Sequence, residues 1–268
     1  MSEPLARRER GPGAGAESRE PIALIHGWGL NLAVWDTTIA ALAVDRLCIA
    51  IDLPGHGHSP WEPEDVHFDH QLARVERTLP PQPCTVTGWS LGGLFAMALA
   101  ARCPQRVRRL VLVATLPRFV VSHGWPHGLG TESLAKFAMQ LSGNYRGTVN
   151  DFLDLQTRGS ANAAATRAEL GAALRQRGDA QPSALAAGLN FLERLDLRPE
   201  LPAIRCPTLA LAGQYDRICA PDGMQAMTEA LGPHAVMRQL DRAAHAPFLS
   251  HSQIFVSEVS SFLDDGRN

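Results

Sequence analysis

Short apolar runs recur along the chain, separated by segments whose apolar residues fall three and four apart. Ile22–Ile25, Leu47–Ile51, Thr85–Gly88, Leu110–Ala114, Thr208–Ala212 and Val236–Leu240 are compact enough to be buried strands. Between them, Ala33–Ala43, His70–Leu79, Leu91–Arg102 and Pro221–Leu231 carry helical spacing, and a last helix is predicted over Ser252–Leu263. Such alternation predicts an α/β fold with a mostly parallel central sheet flanked by helices. The alternation lapses between about Leu116 and Leu195, where no strand pattern occurs and Glu132–Leu141, Thr148–Gln156 and Ala161–Leu174 read as helices. A helical block between two sheet strands predicts a lid. The expected division is therefore a flexible tail over 1–20, a core made of 21–115 and 196–268, and a lid over 116–195.

The tail expectation comes from Gly-Pro-Gly-Ala-Gly-Ala, which begins at Gly11 and is flexible in composition. No apolar strand precedes these glycines, so they do not read as a nucleotide loop. The whole chain has 268 residues, 45% hydrophobic and 19% charged, enough to bury a full core. Its formal net charge of -2 gives no overall field to recruit nucleic acid or an anionic membrane. The five cysteines are odd in number, widely spaced and free of C-x-x-C pairs, which points to buried free thiols in a reducing compartment. The first twenty residues lack the apolar stretch of a secretory signal and no run approaches a membrane span, so a cytoplasmic protein is expected; a monomer is the expected state.

Four short motifs carry chemistry. Gly88-Trp89-Ser90-Leu91-Gly92 follows a predicted strand and opens a predicted helix, the context in which G-x-S-x-G presents a nucleophile on a tight turn. Crowded backbone at such a turn calls for small neighbours, and the helix N-terminus favours developing negative charge. His26-Gly27-Trp28-Gly29 follows the first strand, where acyl transfer would draw one oxyanion donor; Trp28 is the candidate there and Leu91, next after the serine, the other. Asp216 ends the loop after Thr208–Ala212 and is the candidate acid; Asp241 and Asp222 are rivals, the latter read as a helix cap. His245 follows the last strand and is the candidate base, with His251 assigned to the start of the final helix. His26 reads as a structural loop histidine. His56 and His58 lack a third ligand at sensible spacing, so no metal is expected, and serine chemistry of this kind needs no cofactor.

Beyond these motifs, Leu24-Ile25-His26-Gly27-Trp28-Gly29-Leu30-Asn31 with Val34-Trp35, the elbow through Leu94, and Ala243-Ala244-His245-Ala246-Pro247-Phe248 resemble the pimeloyl-acyl-carrier-protein methyl ester carboxylesterases of biotin synthesis, the BioH family. So do Trp125-Pro126, Phe152-Leu153-Asp154-Leu155-Gln156 and Asp196-Leu197-Arg198. The resemblance spans roughly Ile22 to Leu263 and implies an α/β-hydrolase fold. It also implies hydrolysis of the methyl ester of a pimeloyl chain carried on acyl carrier protein, releasing methanol. Ser90, Asp216 and His245 then hold the triad positions. Trp28, Ser90, Leu91, His245 and the segment Phe152, Leu153, Asp154, Leu155 and Gln156 would contact substrate. The family's carrier-binding lid arginines fall here on Gly147, Asp151, Ala164 and Ala168; Arg146, Arg158 and Arg167 lie nearby as candidates for that contact. A broad carboxylesterase for short free esters would share every catalytic residue, and a non-catalytic binding protein is the third possibility left open.

Overall fold

The computed structural model describes residues 2–12 and 19–265. Seven strands form one sheet in the order β1 (Arg7–Arg10), β3 (Arg46–Ile51), β2 (Arg19–Ile25), β4 (Cys84–Trp89), β5 (Val107–Val113), β6 (Thr208–Gly213) and β7 (Ala235–Leu240). Every pairing is parallel except the antiparallel pair of β1 and β3. Because successive strand residues point to opposite faces, one sheet builds two cores. Ala23, Ile25, Ile49, Ile51, Leu110 and Leu112 lie in the core that also holds α2 (Phe68–Thr78), α3 (Leu91–Arg102) and α8 (Pro221–Leu231). Ile22, Leu24, Ala50, Val111, Leu209 and Leu211 lie in the other, with α1 (Asp36–Leu42), α9 (Pro247–Ser250) and α10 (Ser252–Asp264).

Three expectations need correction. Residues 7–10 are a strand and not a flexible tail: Leu5 is buried, Asp52 donates its N–H to the Ala6 carbonyl at 2.9 Å, and Arg7 to Arg10 pair with β3. An edge strand with mostly solvated side chains needs no apolar run, and charged residues keep such an edge from pairing further. The glycine-rich part of the expected tail, from residue 13 to 18, lies outside the described residues. At the opposite edge, β7 exposes Val236, so its apolar run belongs to a half-solvated strand. The segment predicted as one helix over Ala33–Ala43 begins with a tight turn over Leu32–Trp35, where the Asn31 side chain accepts from the Ala33 N–H, and only then continues as α1.

Between β5 and β6 the chain forms α4 (Thr131–Gly143), α5 (Tyr145–Thr157), α6 (Ala163–Arg177) and α7 (Pro182–Arg194). The last of these was not read from the sequence. The helices are stitched to the loops above the sheet by polar bonds as well as by packing. Asn31 Nδ2 donates to the Ala173 carbonyl at 3.0 Å, and Gln181 N–H donates to the Gly55 carbonyl at 2.7 Å. No helix among the described residues is long and apolar enough to cross a membrane.

Candidate active site

Ser90 stands where β4 turns into α3, at φ 54° and ψ -119°, a left-handed backbone that a non-glycine residue adopts only when its surroundings hold it there. Its N–H donates to the Val113 carbonyl at 3.0 Å, and its carbonyl accepts from Gly93 N–H and the Thr115 hydroxyl, both at 2.8 Å. A side chain at Gly88 would run into the backbone of Gly92 and Gly93, and one at Gly92 into the carbonyls of Ile25 and His26. The motif's glycines are thus required by close approach.

The loops after β6 and β7 bring the other two candidates to Ser90. His245 Nε2 lies 2.9 Å from the Ser90 Oγ, and His245 Nδ1 lies 2.8 Å from the Asp216 carboxylate. All three residues are buried. The second carboxylate oxygen accepts from the N–H groups of Ile218 and Cys219 at 2.8 and 3.0 Å, so Asp216 is fixed in place. With Nδ1–H directed at that carboxylate, Nε2 is free to accept the serine proton. The rivals are elsewhere. Asp222 is in the first turn of α8, where it meets His127 and its neighbour's N–H without serving as the cap. Asp241 is exposed, and His251 precedes α10 with its ring on the Ser250 hydroxyl. His26 is a loop anchor: its Nε2 accepts from Leu53 N–H at 3.0 Å.

Reading residues in isolation missed two supports of the base. Trp89, the variable second position of the elbow, donates its indole N–H to the His245 carbonyl at 2.7 Å. Gln156 accepts the His245 N–H through its backbone carbonyl at 3.0 Å, tying α5 to the catalytic loop. Neither link has a local signature, since each joins segments far apart in the chain.

Trp28 and Leu91 flank Ser90. Among the described residues neither backbone N–H has an acceptor within the protein. Helix α7 covers both: Trp28 donates its indole N–H to the Leu185 carbonyl at 2.9 Å, and Gly188 lets the ring approach so closely that a Cβ there would be 2.6 Å from its Cδ1. Phe152 meets the Trp28 ring edge-on at 5.0 Å. The contiguous run expected to line the site does not all face it. A helix places five successive residues around its circumference, so Leu153 turns into the opposite core, Leu155 is half-buried, and Asp154 points outward to pair with Arg167 at 2.5 Å. Arg146 is exposed and pairs with Asp179 at 3.2 Å, whereas Arg158 forms no ion pair among the described residues.

Asp216, Cys219 and His245 bring three donor atoms within 4.8 Å of one another. Burial pushes the Cys219 thiol well above its ordinary range, and the other two donors are already bonded to each other. The set suits proton transfer better than a cation.

A family model described as alpha/beta hydrolase fold matches residues 20–252. A pimeloyl-[acyl-carrier protein] methyl ester esterase of Xanthomonas oryzae is 41% identical over 90% of this chain and 94% of its own. The protein of the same name from Aeromonas hydrophila is 36% identical over the same shares. Among solved structures, an esterase from Exiguobacterium antarcticum superposes with a TM-score of 0.84 over 97% of this chain and 95% of its own, at 19% identity.

Proposed function

The chain belongs to the alpha/beta hydrolases and, within them, to the pimeloyl-[acyl-carrier protein] methyl ester esterases, and on that premise we propose that it hydrolyses the methyl ester of a carrier-bound pimeloyl chain, with Ser90 as nucleophile. The observation that carries the reading is the buried relay from Ser90 through His245 to Asp216, with two unengaged backbone N–H groups beside the nucleophile.

The Ser90 Oγ attacks the ester carbonyl while His245 Nε2 takes its proton, and Asp216 stabilises the imidazolium that results. The carbonyl oxygen becomes an oxyanion, met by the N–H groups of Trp28 and Leu91. Collapse of this intermediate breaks the bond to methoxide, which takes the proton from His245 and leaves as methanol. Water then gives a proton to His245, attacks the acyl-enzyme and releases the free carboxylic acid, restoring the serine. Trp28, Phe152 and Leu91 offer an apolar wall to the acyl chain. The buried Gln156 Oε1, which lacks a hydrogen-bond partner among the described residues, offers an uncommitted polar atom.

The carrier, the cytoplasmic location and a monomeric state belong to this proposal. Growth without biotin after the gene replaces a missing methyl ester esterase is the expected outcome in a host that requires biotin. Failure to restore growth, with purified protein hydrolysing short free esters as fast as carrier-bound ones, would instead identify a broad carboxylesterase.

A further inference from the structure

We propose that the acidic carrier docks on a basic face where three loops meet at the carboxyl ends of β6 and β7, contacting Arg158, Arg217 and Arg242 around Tyr215. The inference rests on the reading above that the substrate arrives on a carrier. It concerns where that partner sits.

Direct contacts join the three loops. Ala161 donates its N–H to the Arg242 carbonyl at 3.0 Å, and Arg242 donates its own to Gln214 Oε1 at 2.8 Å. Tyr215 donates its N–H to the Ala243 carbonyl at 2.8 Å, and a Cβ at Gly159 would be 3.5 Å from the Tyr215 Cβ. Arg158, Arg217 and Arg242 are all exposed on this platform, and among the described residues none forms an ion pair. Asp241 is the one exposed carboxylate in these turns, because Asp216 is buried against His245. Tyr215 is 43% exposed, an aromatic of the kind that anchors interfaces.

Two alternatives on the helical insertion, Arg146 and Arg167, are less suited. Arg146 is matched by Asp179, and Arg167 is held by Asp154 and by Asn150 at 2.8 Å, so both charges are already engaged. The chain's formal charge of -2 also means that an acidic partner is not drawn by the molecule as a whole. A local cluster of unpaired guanidinium groups is what would steer it. The position borders the chemistry: Arg217 follows the acid directly and Arg242 lies three residues before the base, so a partner seated here rests on the loops that carry both.

The test compares charge reversals on two substrates, the methyl ester of pimeloyl carrier protein and a free methyl ester of a short acid. The wild type is expected to favour the carrier-bound ester. Arg158→Glu, Arg217→Glu and Arg242→Glu combined should lower kcat/KM on it by on the order of tenfold or more, through KM, and flatten its dependence on salt. The free ester should change by less than about twofold. Equal losses on both substrates, or a loss carried instead by Arg146→Glu and Arg167→Glu, would overturn this surface while leaving the esterase reading intact. A wild type indifferent to the carrier would overturn the reading and the surface together.

Discussion

A left-handed serine between glycines that cannot carry a Cβ is a costly arrangement, and its cost is why the elbow was legible: few residue types satisfy it. The acid and base were legible for a related reason, as each follows a strand in the later part of the chain, where a triad's acid and then its base are expected. What Trp89 and Gln156 do for His245 was not legible, because both bonds cross more than eighty residues of chain. His56 gives a residue-scale prediction. Burial, reinforced by neighbouring His26, pushes its pKa from 6.5 down to about 3. The folded protein thus keeps His56 neutral while the unfolded chain protonates below pH 6.5. Stability from this site is complete above that pH and is lost as the pH falls toward about 3, by about 1.4 kcal/mol per unit. Urea unfolding at pH 5 should show a loss of about 2 kcal/mol relative to pH 7, with a shallower profile in His56→Gln. A wild-type profile flat across that range would refute the buried neutral assignment.

At the scale of elements, an ion pair on buried Asp52 adds to the bonds that hold the helical insertion down. Arg177, at the end of α6, donates to Asp52 from Nε and Nη2 at 2.9 and 2.7 Å, and the same carboxylate accepts from Leu32 N–H at 2.8 Å in the loop that follows Trp28. Arg177→Met would leave Asp52 buried and unpaired, and should destabilise the protein by about 3–5 kcal/mol in chemical unfolding. A loss below about 1 kcal/mol would mean that solvent reaches the pair. Helix α7 yields a kinetic prediction: Gly188→Ala should push Trp28 from its place and lower kcat on every ester more than it lowers thermal stability. Unchanged kcat would show that the Trp28 turn tolerates displacement. This helix escaped the sequence reading because Gly188 and Asn190, both weak helix formers, interrupt its three alanines and three leucines.

The whole molecule depends on its first strand more than its composition suggests. Arg-Arg-Glu-Arg carries no apolar pattern, yet it completes the sheet edge, and Glu3 nearby accepts from buried Arg74 at 2.9 Å through its carbonyl. Removal of residues 1–11 should lower Tm by several degrees in calorimetry, and an unchanged Tm would show the edge strand to be dispensable. The mostly parallel sheet covered on both faces was readable because such burial leaves runs of aliphatic residues. The packing of four helices above the sheet was not, since it is set by tertiary contacts such as Trp28 with Leu185 and Phe152. At this scale the central claim is that these layers enclose a serine esterase for a carrier-bound methyl ester. It is tested most directly by measuring methanol released from methyl pimeloyl carrier protein by the wild type and by Ser90→Ala. Stoichiometric release of methanol by the wild type, reduced on the order of 10⁴-fold or more by the substitution, is the expected result. No release by the wild type, or release that survives loss of the Ser90 hydroxyl, would contradict it.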